Sequence, residues 1–218
     1  MHRVLDSFII ENFPGLELSP GLISSWSSRL CFGISPPGFN SDDPESLGQA
    51  YQRAAQLFHK VFHSEDELLL VAVVQPPGNE SVLGRKYLNI YLKYVKRKNT
   101  VHRLQHFLKM AEGKDMKEHR LIIPCRKEDI HYLQLIENIL YEHFAHPSTI
   151  LKYPPQNSHD IYFINYTNKI IYHLYEDRRC EILAADKEQL RPLYDEFNSW
   201  ILENDRESAE SLFNDFPK

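Results

Sequence analysis

Apolar residues recur along this chain in different rhythms, and each predicts a different kind of element. Val4 to Phe13 carries its apolar residues at helical spacing and is stopped by Pro14 and Gly15, which predicts a short amphipathic helix. A Ser-rich stretch then leads to RLCFGI (Arg29 to Ile34), read as a short strand, and the loop SPPGFNSDD separates it from the next helix. There Asp43 caps the first turn, Pro44 sits where its missing N–H costs nothing, and Leu47, Tyr51, Ala54, Phe58, Val61 and Phe62 recur at helical spacing. After HSEDE, the run ELLLVAVVQ (Glu67 to Gln75) predicts a buried strand closed by Pro76, Pro77 and Gly78.

The middle of the chain is less regular. From Arg85 to Met110 the pattern YLNIYLKYVKR fits a helix buried on two sides about as well as a strand, and we read it as helix. RLIIPC (Arg120 to Cys125) reads as a strand. A helix through Ile130, Leu133, Ile136, Leu140 and Phe144 follows, with Glu128 and Asp129 in its first turn and Pro147 beyond its end.

In the last third, DIYFINY (Asp160 to Tyr166), IIYHLY (Ile170 to Tyr175) and CEILAA (Cys180 to Ala185) are β-rich runs separated by the short polar loops TNK and EDRR, which predicts a three-stranded antiparallel meander. Asp186 with Gln189 forms a capping box for a helix whose buried stripe is Leu190, Leu193, Tyr194, Phe197 and Ile201. A final helix from Asp205 carries Ala209, Leu212, Phe213 and Phe216. The expected class is α+β, an antiparallel sheet with a C-terminal meander flanked by helices. One domain spans residues 1–218, with 112–118 the place for any subdivision.

Composition narrows the function classes. The 218 residues are 42% hydrophobic and 25% charged, which suits a folded core and excludes collagenous or disordered classes. The longest apolar run, Leu68 to Val74, is far shorter than the roughly 18–20 residues of a membrane-spanning helix. The amino terminus lacks a small-residue cleavage site, and the three cysteines, Cys31, Cys125 and Cys180, form no CxxC, so a cytoplasmic setting with reduced thiols is expected. The net charge of -5 is unevenly spread: 13 Lys and Arg stand against 3 Asp and Glu between Arg85 and Lys127, leaving 12 bases against 27 acids elsewhere. Such asymmetry marks a solvated face or an interaction surface.

Several groupings of residues bear on possible chemistry. His59 with His63, and His102 with His106, stand four apart and would share a helix face as metal ligands do, but neither has the HExxH form, and structural or surface roles are favoured. EHFAH, with Glu142, His143 and His146, is weaker because Pro147 follows directly. No GxGxxG, Walker A loop or GxSxG elbow occurs, and no cofactor is implied. The basic stretch with Tyr94 and Phe107 could touch nucleic acid, yet the acidic whole disfavours that partner. The segment YEDRR is richest: Glu176, Asp177 and His173 could do acid–base work and Arg178 could hold an anion, with His173 and Tyr175 on one face. Against this stands a hairpin loop in which Asp177 makes a turn hydrogen bond and Arg178 pairs with a nearby carboxylate, and this structural reading is favoured.

IIYHLYEDRRCEILAADKEQLRPLYDEFNSWILENDRE resembles a bacterial domain-of-unknown-function family, number 3885, in its carboxy-terminal Tyr-Asp-Asp-Arg-Gly strand end and the Leu-Tyr-x-x-x-x-x-Trp-Ile helix after it. Tyr175, Asp177 and Arg178 match the strand end, Leu193, Tyr194, Trp200 and Ile201 the helix, and Asp205 with Arg206 the turn beyond. RLCFGI and YQRAAQLFHKVFHSEDELLLV resemble the amino-terminal strand, helix and strand of the same family. Glu176 replaces the family's first Asp and Arg179 its Gly, which weakens a left-handed turn there. The resemblance implies no established activity, and the toxin genes near some members imply an immunity role.

The resulting expectation is a non-catalytic cytoplasmic binding protein, in its concrete form an immunity-type protein masking a toxin domain. Asp195, Glu196, Glu203, Glu207 and Glu210 would steer the basic partner. The balance leans away from an enzyme, and no membrane partner is expected. The alternative is an enzyme or a nucleotide- or anion-binding protein using His173, Glu176, Asp177 and Arg178. The sequence leaves the oligomeric state open.

Overall fold

The computed structural model describes residues 4–18, 25–35, 37–40, 43–75, 85–110, 117–143, 158–175 and 179–213. The elements in chain order are α1 (Val4–Asn12), β1 (Arg29–Gly33), α2 (Pro44–Val61), β2 (Glu67–Gln75), α3 (Arg85–Tyr94), α4 (Lys98–Val101), β3 (Gln105–Met110) and β4 (Lys117–Arg126). They continue with α5 (Tyr132–His143), β5 (Ser158–Asn165), β6 (Ile170–Tyr175), β7 (Arg179–Ala184), α6 (Arg191–Phe197) and α7 (Glu203–Phe213).

The strands form one seven-stranded sheet in the order β1-β7-β6-β5-β2-β4-β3, with antiparallel pairing throughout. This is the expected α+β class, and β5-β6-β7 is the expected meander. β2 lies between β4 and β5, and Leu68 to Val74 are all buried because both faces of the strand are covered. Its even-numbered residues join the larger core with α2, α3, α5, α6 and α7, while Leu69, Val71 and Val73 join a smaller core beneath α1.

Local chemistry explains most boundaries. The Asp43 carboxylate accepts hydrogen bonds from the N–H groups of Glu45 and Ser46, with Pro44 in the first turn, so α2 starts as expected. Pro124 is tolerated inside β4 because the β3 pairing has already ended at Gln105 and Ile122, and it interrupts no ladder on that side.

Some expectations need correction. The helical reading of 85–110 holds for α3 and α4, but Gln105 to Met110 forms β3, an edge strand that pairs with β4. The expected helix through Ile130 starts later: Asp129 accepts from the Arg126 N–H in a 3-10 turn, Ile130 bridges to Val95, and α5 begins at Tyr132. After β7, Asp186 caps a 3-10 turn (Lys187–Leu190) before α6. Gln189 Oε1 is buried without a hydrogen bond among the described residues, so the capping box does not close. Ile201 is buried but not helical; it bridges to Phe32, and the Leu202 N–H donates to the Cys31 carbonyl at 3.4 Å, shielding the β1 edge. Trp200 is half-buried, 4.7 Å from the Phe197 ring and beneath the Arg53 guanidinium at 5.0 Å. Phe144 and Phe216 lie outside the described residues.

The chain's charge asymmetry becomes spatial. The basic segment builds α3, α4, β3 and β4 at one end of the strand order, while β1 closes the other end with α7 beside it. No helix among the described residues is long and apolar enough to cross a membrane.

Candidate functional site

Strand alternation assembles a polar row on the sheet face that α1 partly covers. Tyr162, His173, Glu181 and Cys31 are successive register partners across β5, β6, β7 and β1. Asp160 lies two residues before Tyr162 and therefore on the same face. Its Oδ1 is 3.3 Å from His173 Nε2, and the Tyr162 ring stacks on the imidazole at 4.3 Å. At one end Arg29 pairs with Glu181 at 3.3 Å and with Asp205 at 3.1 Å. At the other, Arg120 pairs with Glu118 at 2.7 Å.

Burial dominates the electrostatics of this row. The Tyr162 hydroxyl is pushed well above its ordinary value first by desolvation, then by the negative charges of Asp160, Glu118 and Glu181, with Arg120 opposing. The Cys31 thiol is pushed up to about 12 by desolvation and by Asp205 and Glu181, partly offset by Arg29 and Arg179. A carboxylate beside an imidazole is the arrangement that orients a general base. Here, however, the His173 side chain is 0% exposed. Charged pairs buried in this way add little stability relative to well-packed apolar replacements.

The predicted site is only partly brought together. His173 is in the row and Tyr175 ends β6 in register with Arg179, whereas Glu176, Asp177 and Arg178 lie outside the described residues. Asp160, Tyr162, Glu181 and Arg29 were missed. The signal for two of them was visible: Asp160 and Glu181 are acids at inward positions of otherwise apolar strands.

The histidine pairs also rearrange. His59 accompanies Tyr132, its ring nitrogen 3.1 Å from that hydroxyl, and burial with the Lys127 charge lowers its pKa, while His63 lies beyond the end of α2. His102 sits in a turn and His106 on β3, so they share no helix face. The side chains of Glu142 and His143, and all of His146, lie outside the described residues. No group of three His, Cys, Asp or Glu able to hold a metal occurs among the described residues.

The cysteines are inert by position. All three are buried, and desolvation pushes Cys125, like Cys31, up to about 12 and Cys180 well above its ordinary value. Ellman's reagent at pH 8 is expected to modify none of them in the folded protein and all of them in guanidinium; rapid native modification of one would show that its strand opens.

The acidic residues are where a partner can reach them. Asp195 and Glu196 on α6, and Glu203, Glu207 and Glu210 on α7, are all exposed. Glu196 pairs with Lys60 at 2.5 Å and Glu203 with Arg206 at 3.4 Å, while Asp195, Glu207 and Glu210 make no ion pair among the described residues. Spacing of four and three puts Glu203, Glu207 and Glu210 on one side of α7. A cleft of about 430 Å³ opens elsewhere, between α1 and β3–β4, lined by Ile9, Ile10, Phe107, Lys109 and Arg120 among others. Lys109 is tied across it to Glu17 at 3.1 Å.

No solved structure matches the chain. A relative from Bacillus subtilis strain 168, bearing the name uncharacterized protein YnaE, is 26% identical over 215 residues, covering 91% of this chain and 97% of the relative. The model of the family described as domain of unknown function DUF3885 matches residues 5–205, from α1 into α7, and the chain belongs to that family.

Proposed function

We propose that this chain is a non-catalytic binding protein that docks a basic protein partner on the acidic side of α6 and α7. The observation that carries this reading is the division of its charged groups. Five carboxylates on consecutive helices face solvent, whereas His173 and the cysteines, the groups suited to chemistry, are buried. Exposed like charges steer an oppositely charged protein and raise its association rate. The narrower form is an immunity-type protein whose partner is a toxin domain, neutralised by being covered. Burial of His173 counts against the competing reading, an enzyme or anion site built on His173, Glu176, Asp177 and Arg178.

The test begins with basic proteins encoded beside this chain's gene. Titration calorimetry is expected to find one that binds, with affinity falling at least tenfold between 50 and 300 mM salt. Asp195→Lys combined with Glu207→Lys and Glu210→Lys is expected to abolish that binding while leaving the melting temperature close to wild type. A partner that binds the triple variant as tightly as wild type, or none among those proteins, would overturn the reading.

A further inference from the structure

β3 and β4 bring together two histidines that the sequence keeps 13 positions apart, His106 and His119. Register sets His106 opposite Leu121 and His119 opposite Leu108, so the two imidazoles are diagonal neighbours on one face of the ladder. His106 Nε2 lies 2.8 Å from His119 Nδ1, with the rings parallel to within 3° and their centroids 5.1 Å apart. His106 is exposed and His119 half-buried.

We propose that His106 and His119 form a chelating site for a divalent transition-metal ion of the kind imidazole prefers, Cu2+ or Zn2+, with solvent completing its coordination. Two imidazole nitrogens bound at about 2.0–2.1 Å to one metal stand about 2.8–3.4 Å apart for angles between square and tetrahedral. The existing 2.8 Å separation already falls in that range, but centroids 5.1 Å apart set the parallel rings head-on, so each has to swing by roughly 35–45° for the two lone pairs to converge on one metal, which the exposed His106 ring does most freely. Each ring must present its lone pair at the shared point and carry its proton on the far nitrogen, Nδ1 of His106 and Nε2 of His119. This is a change of tautomer, so the neutral pair releases no net proton when it binds. The backbone needs no reordering, because the β3–β4 ladder already holds both residues.

The surroundings set the strength and selectivity. No third His, Cys, Asp or Glu ligand joins the pair among the described residues, and the segment around it is basic. Affinity is therefore micromolar, and Cu2+ binds more tightly than Zn2+, following the usual order for nitrogen ligands. Mg2+ and Ca2+, which take oxygen ligands, do not bind there.

The experiment uses the full chain, purified without a histidine tag and freed of metal, titrated with CuCl2 and ZnCl2 at pH 7.5 by calorimetry. One-to-one binding is expected, weakened at least tenfold by His106→Ala, by His119→Ala and by His106→Gln, while His102→Ala binds as wild type does. His106→Gln keeps a hydrogen-bonding side chain and separates ligation from simple loss of the contact, and thermal unfolding without metal verifies that each variant is folded. MgCl2 is expected to give no binding heat. Absence of saturable Cu2+ binding up to about 1 mM, a range that spans millimolar dissociation constants, would overturn the proposal, as would binding indifferent to all three substitutions. The pair sits at the end of the sheet away from α6 and α7, so this result and the partner-binding result are independent.

Discussion

Replacing Phe58 with alanine is expected to lower stability by about 3–5 kcal/mol, the range for emptying a fully buried aromatic site. Phe58 is 0% exposed on the inner side of α2. Its ring lies 4.4 Å from Phe62, 4.9 Å from Tyr132, 5.1 Å from Phe163 and 5.4 Å from Tyr172. Those four partners belong to the end of α2, to α5, to β5 and to β6, so one side chain joins both flanking helices to the meander. The stacked and edge-on geometries add to the area term, since aromatic pairs contribute roughly 0.5–1.5 kcal/mol beyond burial. Phe58→Leu fills most of the same space and is expected to cost less than half as much. Equilibrium unfolding in urea measures both losses; a loss below about 1 kcal/mol for Phe58→Ala would mean that the neighbouring rings collapse into the space and that this cluster does not anchor α2.

Phe58 and Phe62 were legible in the sequence as members of one helical stripe and Phe163 and Tyr172 as members of two predicted strands, but Tyr132 had no place in a stripe, and the packing of all four rings on Phe58 was not legible. That limit recurs throughout. α2, β2 and the meander could be read directly because capping residues, apolar runs and short polar loops act within a few positions of one another. β3 could not, because a short amphipathic segment following two helices has no local feature that decides between the two periods, and its pairing with β4 decides it. The His106–His119 contact depends on that pairing, and four-residue spacing pointed instead to His102. At the polar row, the out-of-place acids Asp160 and Glu181 could have been noticed in their strands, but register alone shows that His173 lies between them. The acidic residues of α6 and α7 were easier, since an exposed face needs no partner to be recognised.

Asn165 is the second position where a large loss is expected, about 3 kcal/mol or more for Asn165→Leu, although leucine has a similar volume. The residue is 0% exposed and all its amide capacity is directed inward. Its Nδ2 donates to the Val61 carbonyl at 2.8 Å and to Asp66 Oδ2 at 2.7 Å, and its Oδ1 accepts from the Asn168 N–H at 2.8 Å. Asp66 also accepts from the His63 N–H at 2.8 Å and from Asn168 Nδ2 at 3.1 Å. The network thus satisfies a carbonyl at the end of α2, holds the entry to β2, and closes the turn between β5 and β6. Leucine would leave the Val61 carbonyl and the Asn168 N–H without partners, each costing roughly 1–3 kcal/mol, and would take a donor from a buried carboxylate. Asn165→Asp tests the same network by replacing the neutral amide donor with an ionisable carboxyl. The new carboxyl would face Asp66 and ionise only at raised pH in the folded state, so its destabilising effect grows as pH rises through the ordinary carboxylate range near 4. Urea unfolding at pH 4 and pH 7 is expected to show a wider gap from wild type at pH 7. An equal gap at both values would mean that the two side chains separate and that the Asn165–Asp66 bond does not hold this corner together.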